Sequence, residues 1–530
     1  MTERESPMNR ETTRLMTSLL AGAAAVALAT GAARAADGPL VQAADPYFVE
    51  SQDIHQQALA AQPNTNRAKN VILFVGDGMG ISTVTAARIF EGQQRGVDGV
   101  SNQLAFDAFP HVALSKTYSS DAQVTDSAPS ATAMMTGVKL KNDMLGVNAQ
   151  ANYNDCVSAM ANKVTTLVEM AELAGMSTGA ITTTRLTHAT PAATYSHTPN
   201  RDWEADSDMK PEAIAAGCTD IARQLVEMSY GDGLEVAMGG GRERFLPDTM
   251  EDPEDAGKKG KRKDGKDLTQ AWLQRYGNSG AYVWNEKQFG ELKAENVDHL
   301  LGLFERSHME YEFDREKDTG GEPSLAEMTR KSIDILARNP QGFFLMVEGG
   351  RIDHAHHEGN AFRALSDAVA FNDAIKAALE KVSTEDTLIV VTADHSHAFT
   401  INGYPKRDNP LMGIVVGVDG KATLAEDGKP YTTLSYANGP GGSKEQRERA
   451  TLTMGQATDP DFIQQALVPM ESETHAGEDV GIYSIGPWSH LFQKTVPQPY
   501  IFHVMDYATK ISERAVASAA GQPVKKADAN

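Results

Sequence analysis

The sequence predicts an α/β fold, a mostly parallel central sheet with helices on both faces and an inserted subdomain. Two observations carry this. Apolar runs of strand length recur at 70–80 (NVILFVGDGMG), 179–186 (GAITTTRL), 234–241 (LEVAMGGG), 342–350 (GFFLMVEGG) and 387–397 (TLIVVTADHSH). Helical stretches fill the spaces between them, at 161–174, 213–228, 325–338 and 361–382. Strands that are apolar throughout and alternate with helices give a parallel sheet covered on each side. Ligands of such sheets bind beyond the carboxyl ends of the strands.

The chain of 530 residues divides accordingly. Arg10 and Arg14 precede an Ala-rich apolar stretch, and Ala33-Arg34-Ala35 gives a small-x-small cleavage pattern, so residues 1–35 are expected to be a signal peptide. Residues 36–66 form an N-terminal extension and 67–401 the core. Within the core, 245–285 is rich in Gly, Lys and Asp and reads as a surface excursion. Its basic run KKGKRKDGK at 258–266 reads as a solvated loop. Residues 402–470 are loop-rich and form the inserted subdomain, 471–510 return to the core, and 511–530 are a polar tail. No second apolar run is long enough to span a bilayer, and the tail lacks the hydrophobic end of a lipid-anchor signal. The expectation is an exported protein, periplasmic or secreted, with no permanent membrane anchor.

The net charge of −22, from 49 basic and 71 acidic residues, excludes a nucleic-acid surface, which needs a basic face. An acidic protein that handles an anion must neutralise it locally, by metals or by a placed arginine. The two cysteines, Cys156 and Cys218, match no zinc-finger spacing. In an exported chain such a pair points to a disulfide, the alternative being two buried thiols.

The polar residues that close the apolar runs carry the chemistry. Asp77 ends the first, Glu348 and Asp353 the fourth, and Asp394 and His395 the fifth. Asp353 and His357 stand four apart, on one face of a helix. His475 precedes another short strand. Each alone reads as a turn former or a satisfied polar group. Together, at the same end of parallel strands, they would converge on one crevice and repel one another without cations. Oxygen ligands with imidazole suit zinc, and oxygen-only positions suit magnesium. Separately, VTDSAPSATAMMTG at 124–137 reads as a helix start, with Asp126 or Ser127 as cap and Pro129 in the first turn.

Seven ordered motifs resemble the alkaline phosphatases from about residue 67 to 510: GDGMG, TDSAPSATAMMTG, TTTRLTHATPAATYSH, NRDW, VEGGRIDHAHHEGN, TADHSH and ETHAGEDV. Their wording is closer to the animal branch than to the best-known bacterial one. The resemblance implies a metal-dependent phosphomonoesterase of broad specificity, working at alkaline pH through a phosphoserine. It makes Ser127 the nucleophile, Asp126 a positioning residue and Arg201 the phosphate clamp. It implies one zinc on Asp77, Asp394 and His395, a second on Asp353, His357 and His475, and magnesium on Asp77, Thr190 and Glu348. His188 and His354 would stand just outside the metals, where the best-known bacterial enzymes carry Asp and Lys. Part of the animal-type calcium pattern is present in Glu254, the Phe304 carbonyl, Glu305 and Glu322. The resemblance also implies a homodimer, with residues 402–470 as a crown-like subdomain near the twofold axis.

Serine needs activation to attack phosphorus, and two metals can hold the attacking and leaving oxygens of an in-line displacement. A helix N-terminus at Ser127 would favour the incoming anion as well, so cap and nucleophile are compatible readings. The alternatives are a sulfatase, which would need arginine where Ala131 stands, and a phosphodiesterase, which would lack the magnesium site and the clamp. A periplasmic phosphate- or metal-binding protein would not need Ser127.

Overall fold

In the computed structural model, the described residues are 40–443 and 449–521. The signal-peptide stretch and the last nine residues of the tail lie outside them. Residues up to Gln62 and residues from Pro63 form two units. The first contains a helix, Pro46–Ala60, started by Pro46 and capped by the Asp45 carboxylate, which accepts N–H bonds from Tyr47 and Phe48. None of its side chains is buried.

The second unit is built on a ten-stranded sheet. In chain order its strands are β1 (Asn70–Gly76), β2 (His111–Lys116), β3 (Ser177–Arg185), β4 (Val236–Gly240), β5 (Gly280–Val283), β6 (His299–Leu303), β7 (Phe343–Gly349) and β8 (Thr387–Ala393). The short strands β9 (Ser396–His397), β10 (Phe399–Ile401), β11 (Leu434–Gly439), β12 (Ala466–Pro469) and β13 (His475–Ala476) precede β14 (Val480–Ile485) and β15 (Thr495–Pro497). The large sheet runs β15-β2-β14-β8-β1-β7-β3-β4-β6-β5. From β8 to β5 all pairings are parallel, and only β14 runs against its neighbours β8 and β2. The five apolar runs read from the sequence are β1, β3, β4, β7 and β8, which lie in the parallel part.

Side chains along these strands alternate between two cores, as the two-residue period of a strand requires. Val71, Leu73 and Val75 of β1 join one core with Met346 and Val390. Ile72 and Phe74 join the other with Leu345, Val347 and Val391. The Ser127–Thr136 helix covers the first face, and the Ile81–Gln94, Leu325–Leu336 and Ala361–Lys381 helices cover the second. Among the described residues, no helix is long and apolar enough to cross a membrane.

Several boundaries differ from the sequence reading. The helix expected at 161–174 is two, Cys156–Ala161 and Leu167–Leu173, because Thr166 and Glu169 form a reciprocal capping box that starts the second afresh. The helix expected at 213–228 is interrupted at Gly217 (φ 93°) and restarts at Ile221 behind the Asp220 cap. Residues 245–285 are not a mere surface excursion: they supply the edge strand β5 and the fully buried Trp272. Nor is the basic run a solvated loop throughout. Arg262 is wholly buried and bonded by Asp220 and Asp264. Residues 511–519, read as polar tail, form a helix whose Ile511 and Ala515 are buried. Cys156 and Cys218 form a disulfide. The three-stranded sheet β10-β11-β12 lies in and beside the 402–470 insertion.

Candidate active site and metal centre

The site lies past the carboxyl ends of β1, β3, β7 and β8. Asp77 follows β1 directly, Glu348 is the penultimate residue of β7, and Asp394 and His395 follow β8. Ser127 begins its helix and is almost fully buried, with Asp126 as the N-cap accepting from the Ala128 N–H. Ser127 Oγ lies 3.4 Å from Asp77 Oδ1 and 3.2 Å from His395 Nε2. His395 Nε2 lies 3.4 Å from Asp77 Oδ1 and 3.3 Å from Asp394 Oδ2. Two of the predicted trio, Asp77 and His395, therefore face the Ser127 hydroxyl, and Asp394 joins them through His395.

Beside it, Asp353 Oδ1 lies 3.5 Å from His357 Nε2 and 3.3 Å from His475 Nε2, and those two nitrogens are 3.1 Å apart. The ring orientations are fixed from behind. His357 Nδ1 is 2.6 Å from the Glu473 carbonyl and His475 Nδ1 is 2.9 Å from that of Thr125. A carbonyl only accepts, so Nδ1 carries the proton and both Nε2 lone pairs face each other and a carboxylate. Two lone pairs and an anion at such distances call for a cation between them.

A third grouping joins Asp77, Glu348 and His188, with Thr190 beside them. Asp77 Oδ2, Glu348 Oε1, Thr190 Oγ1 and His188 Nδ1 are all buried without a hydrogen-bond partner. Buried polar atoms are normally paired, and four orphans in one grouping fit a missing ligand sphere. Burial pushes Glu348 up to about 7, against the pull of the Thr182 hydroxyl. Burial, with Asp394, Asp353 and Glu348 as like-charged neighbours, holds Asp77 well above the usual carboxylate range. The donor set, with oxygen and neutral imidazole, thus fits divalent cations.

Arg201 Nη1 lies 2.9 Å from Asp126 Oδ1, and its Nη2 lies 3.1 Å from His188 Nε2. His188, expected just outside the metals, falls within the third grouping because its ring nitrogen sits beside Asp77 and Glu348, and His354 stands ring to ring with it at 5.4 Å. Burial and the Arg201 charge hold His188 well below the ordinary imidazole range, and burial with Arg351 brings His354 down to about 3.

Two features were absent from the sequence reading. His397 bridges Asp353 Oδ1 (2.7 Å) and Glu473 Oε2 (2.5 Å), two carboxylates that outweigh its burial and hold it up at about 9. Its position two residues after His395 was the available signal. His308 packs 4.2 Å from His354 and 5.4 Å from His188, and nothing local in SHMEYE announces that. Gly78 belongs to the same crevice: a Cβ there would lie 2.3 Å from His397 Nε2, and its φ of 66° is left-handed.

Away from this crevice, Glu254, Glu305 and Asp318 bring their carboxylates together. Glu322 lies near them, its Oε1 accepting the Glu310 N–H while Oε2 has no partner. Burial, then its acidic neighbours, raises Glu305 to about 8 and Glu322 to about 9. Asp318 is an addition to the expected set. The Phe304 carbonyl already accepts from Arg242 Nη1 at 3.1 Å, so one of its lone pairs is taken.

Comparison with known proteins gives one answer. The family model "Alkaline phosphatase" matches residues 68–511. The alkaline phosphatase of Gadus morhua is 46% identical over 468 residues, covering 87% of this chain and 96% of its own. The tissue-nonspecific isozyme of Homo sapiens is 46% identical over 483 residues, covering 89% of this chain and 90% of its own. Among solved structures, alkaline phosphatase from the Antarctic bacterium TAB5 superposes with a TM-score of 0.57 at 25% identity, covering 84% of this chain and 99% of that one. The Thermus thermophilus enzyme gives 0.59 at 24% identity, covering 88% and 99%, and supports the fold alone. A variant of the TAB5 enzyme is solved with magnesium bound.

Proposed function

This chain belongs to the alkaline phosphatase family and is a phosphomonoester hydrolase, and we propose that Ser127 is the residue that carries the phosphoryl group. The observation behind this is the burial of the Ser127 hydroxyl between Asp77 and His395, beside Arg201, whose guanidinium reaches the Asp126 cap. Ser127 Oγ gives up its proton and attacks phosphorus, the P–O bond to the alcohol breaks, the leaving oxygen takes up a proton and departs as the alcohol, and a phosphoserine remains. Water then attacks the same phosphorus, releasing inorganic phosphate and restoring the serine hydroxyl. Arg201 offers a planar fork to two phosphate oxygens throughout, and Asp126 holds that fork in place.

We assign two zinc sites, Asp77 with Asp394 and His395, and Asp353 with His357 and His475, and a magnesium site on Asp77, Thr190 and Glu348. Bound there, the metals would supply Lewis acidity and offset the charge that builds on the reacting oxygens. His397 and Glu473 keep Asp353 and His357 in position from behind. His188 and His354, held neutral, orient polar groups around phosphate without adding fixed charge. The Glu254, Glu305, Asp318 and Glu322 cluster is the place for calcium.

The disulfide supports export to the periplasm or beyond, since such bonds persist in oxidising compartments. The exposed apolar side chains Tyr404, Val418 and Leu467 of the 402–470 insertion support a homodimer through that crown. Phosphate labelled and trapped at low pH is expected on Ser127 alone, and label on any other residue would overturn the assignment.

A further inference from the structure

Among the described residues, five that are not glycine hold a left-handed backbone, and Asp143 (φ 65°) and Asn154 (φ 60°) both lie in the loop that backs Arg201. That region is disfavoured for residues with a Cβ and is tolerated best by Asp and Asn. Such a conformation persists when its surroundings fix it, and it marks a place to look for function.

The surroundings here form a closed ring. The Asp143 N–H donates to Asp126 Oδ2 at 2.6 Å. The Asp143 carbonyl accepts the Arg201 N–H at 2.7 Å. Asp126 Oδ1 completes the circuit by accepting from Arg201 Nη1 at 2.9 Å. The flanking contacts keep the two segments in register. Leu145 and Thr198 exchange both main-chain hydrogen bonds, at 3.0 and 2.9 Å. The Asn154 N–H donates to the Pro199 carbonyl at 3.1 Å, and its Oδ1 accepts from Asn200 Nδ2 at 2.9 Å. Rotating Asp143 out of the left-handed region would turn its N–H away from Asp126 or its carbonyl away from Arg201. The Asp143 side chain is exposed, with its carboxylate within electrostatic reach of Asp126 and Arg201, while both of its hydrogen bonds in the ring are made by its main chain. Asp126 is the residue before Ser127, and one backbone conformation therefore bears on both the clamp and the helix start that carries the nucleophile.

We propose that Asp143 is a positioning residue for the phosphate clamp: its left-handed main chain sets Arg201 and Asp126 against each other and thereby tunes affinity for the phosphoryl group of substrate and product. This rests on the reading of Arg201 as the clamp. Valine is β-branched and poorly suited to this φ, glycine adopts it freely, and asparagine tolerates it.

The test uses the metal-loaded enzyme, a chromogenic phosphomonoester for KM and kcat, and inorganic phosphate as a competitive inhibitor. Asp143→Gly and Asp143→Asn are expected to stay within about threefold of the parent in KM and inhibition constant, whereas Asp143→Val raises both about tenfold with a smaller change in kcat. In an Arg201→Ala background, Asp143→Val is expected to add less than about twofold, because the group it positions is gone. Should the valine variant fail to fold, Asp143→Ala replaces it, with an expected rise of about threefold or more. Parent-like phosphate inhibition in the folded variant, an equal impairment of Asp143→Gly, or an undiminished effect without Arg201 would each overturn the inference. If Arg201→Ala itself leaves KM and phosphate inhibition unchanged, the clamp reading fails, and this inference with it.

Discussion

Strand β3 joins two groups of buried carboxylates that meet the same electrostatic problem in different ways. At its start, the Thr178 hydroxyl donates to Glu172 at 2.5 Å and the Thr178 N–H donates to Glu235 at 2.6 Å. Burial, together with the repulsion between them, pushes Glu172 up to about 10, and burial pushes Glu235 up to about 7. No buried oxygen of either is orphaned, and among the described residues neither falls in a metal-capable grouping. At the other end of the strand, Thr182 and Thr184 both reach Glu348 Oε2, yet Oε1 has no partner, nor has Asp77 Oδ2. Imidazole lone pairs face the carboxylates there as well. Buried acids alone are thus no mark of a metal site. Protons can neutralise the first group, whereas the second presents unfilled lone pairs that protons would not satisfy in that geometry.

The comparison breaks most readily by removing metal. Chelation is expected to abolish turnover, with zinc and magnesium restoring it and elemental analysis giving two zinc and one magnesium per chain. The Glu172→Gln, Glu235→Gln double variant should keep the parent metal content and turnover. Active metal-free enzyme would show that the two ends do not differ in kind. Next in size, Ser127→Ala is expected to lower turnover by about 10³-fold or more while leaving metal content intact. Loss of zinc along with activity would mean that the serine holds the site together rather than reacting in it.

A smaller effect tests the support behind the ligands. His397→Ala is expected to weaken zinc binding about 10- to 100-fold, since it frees Asp353 and Glu473 from their shared partner. Competition against a chromogenic chelator measures this, and an unchanged zinc affinity would remove His397 from the site. The smallest effect belongs to the proton-balanced end. Glu172 holds its proton in the folded protein to about pH 10, while in the unfolded chain it titrates near 4.5. Its contribution is therefore fully present below about pH 4.5 and is lost as pH rises towards 10. Glu172→Gln stays neutral and keeps an acceptor for Thr178. It is expected to leave the thermal midpoint near the parent's at pH 5 and raise it by a few degrees at pH 10. An equal shift at both values would mean that packing, not charge, sets the difference.

The sequence by itself determined the layout of this protein. The apolar runs and their polar closures placed Asp77, Glu348, Asp394 and His395 at one end of the parallel strands, because strand burial and its end are written in consecutive residues. The Ser127 cap was local in the same way, as was the four-residue spacing of Asp353 and His357. Tertiary structure alone decided what these residues meet. It set His475 Nδ1 on the Thr125 carbonyl, 350 residues away in the chain, and thereby aimed Nε2 at Asp353. It placed His308 against His354, buried Arg262 inside a stretch that reads as solvated, and gave Asp143 its left-handed turn. Local patterning records whether a residue is buried and on which face. It does not record which distant donor or acceptor completes that residue's hydrogen bonds, and in this molecule such partners set the direction of the His357 and His475 Nε2 lone pairs.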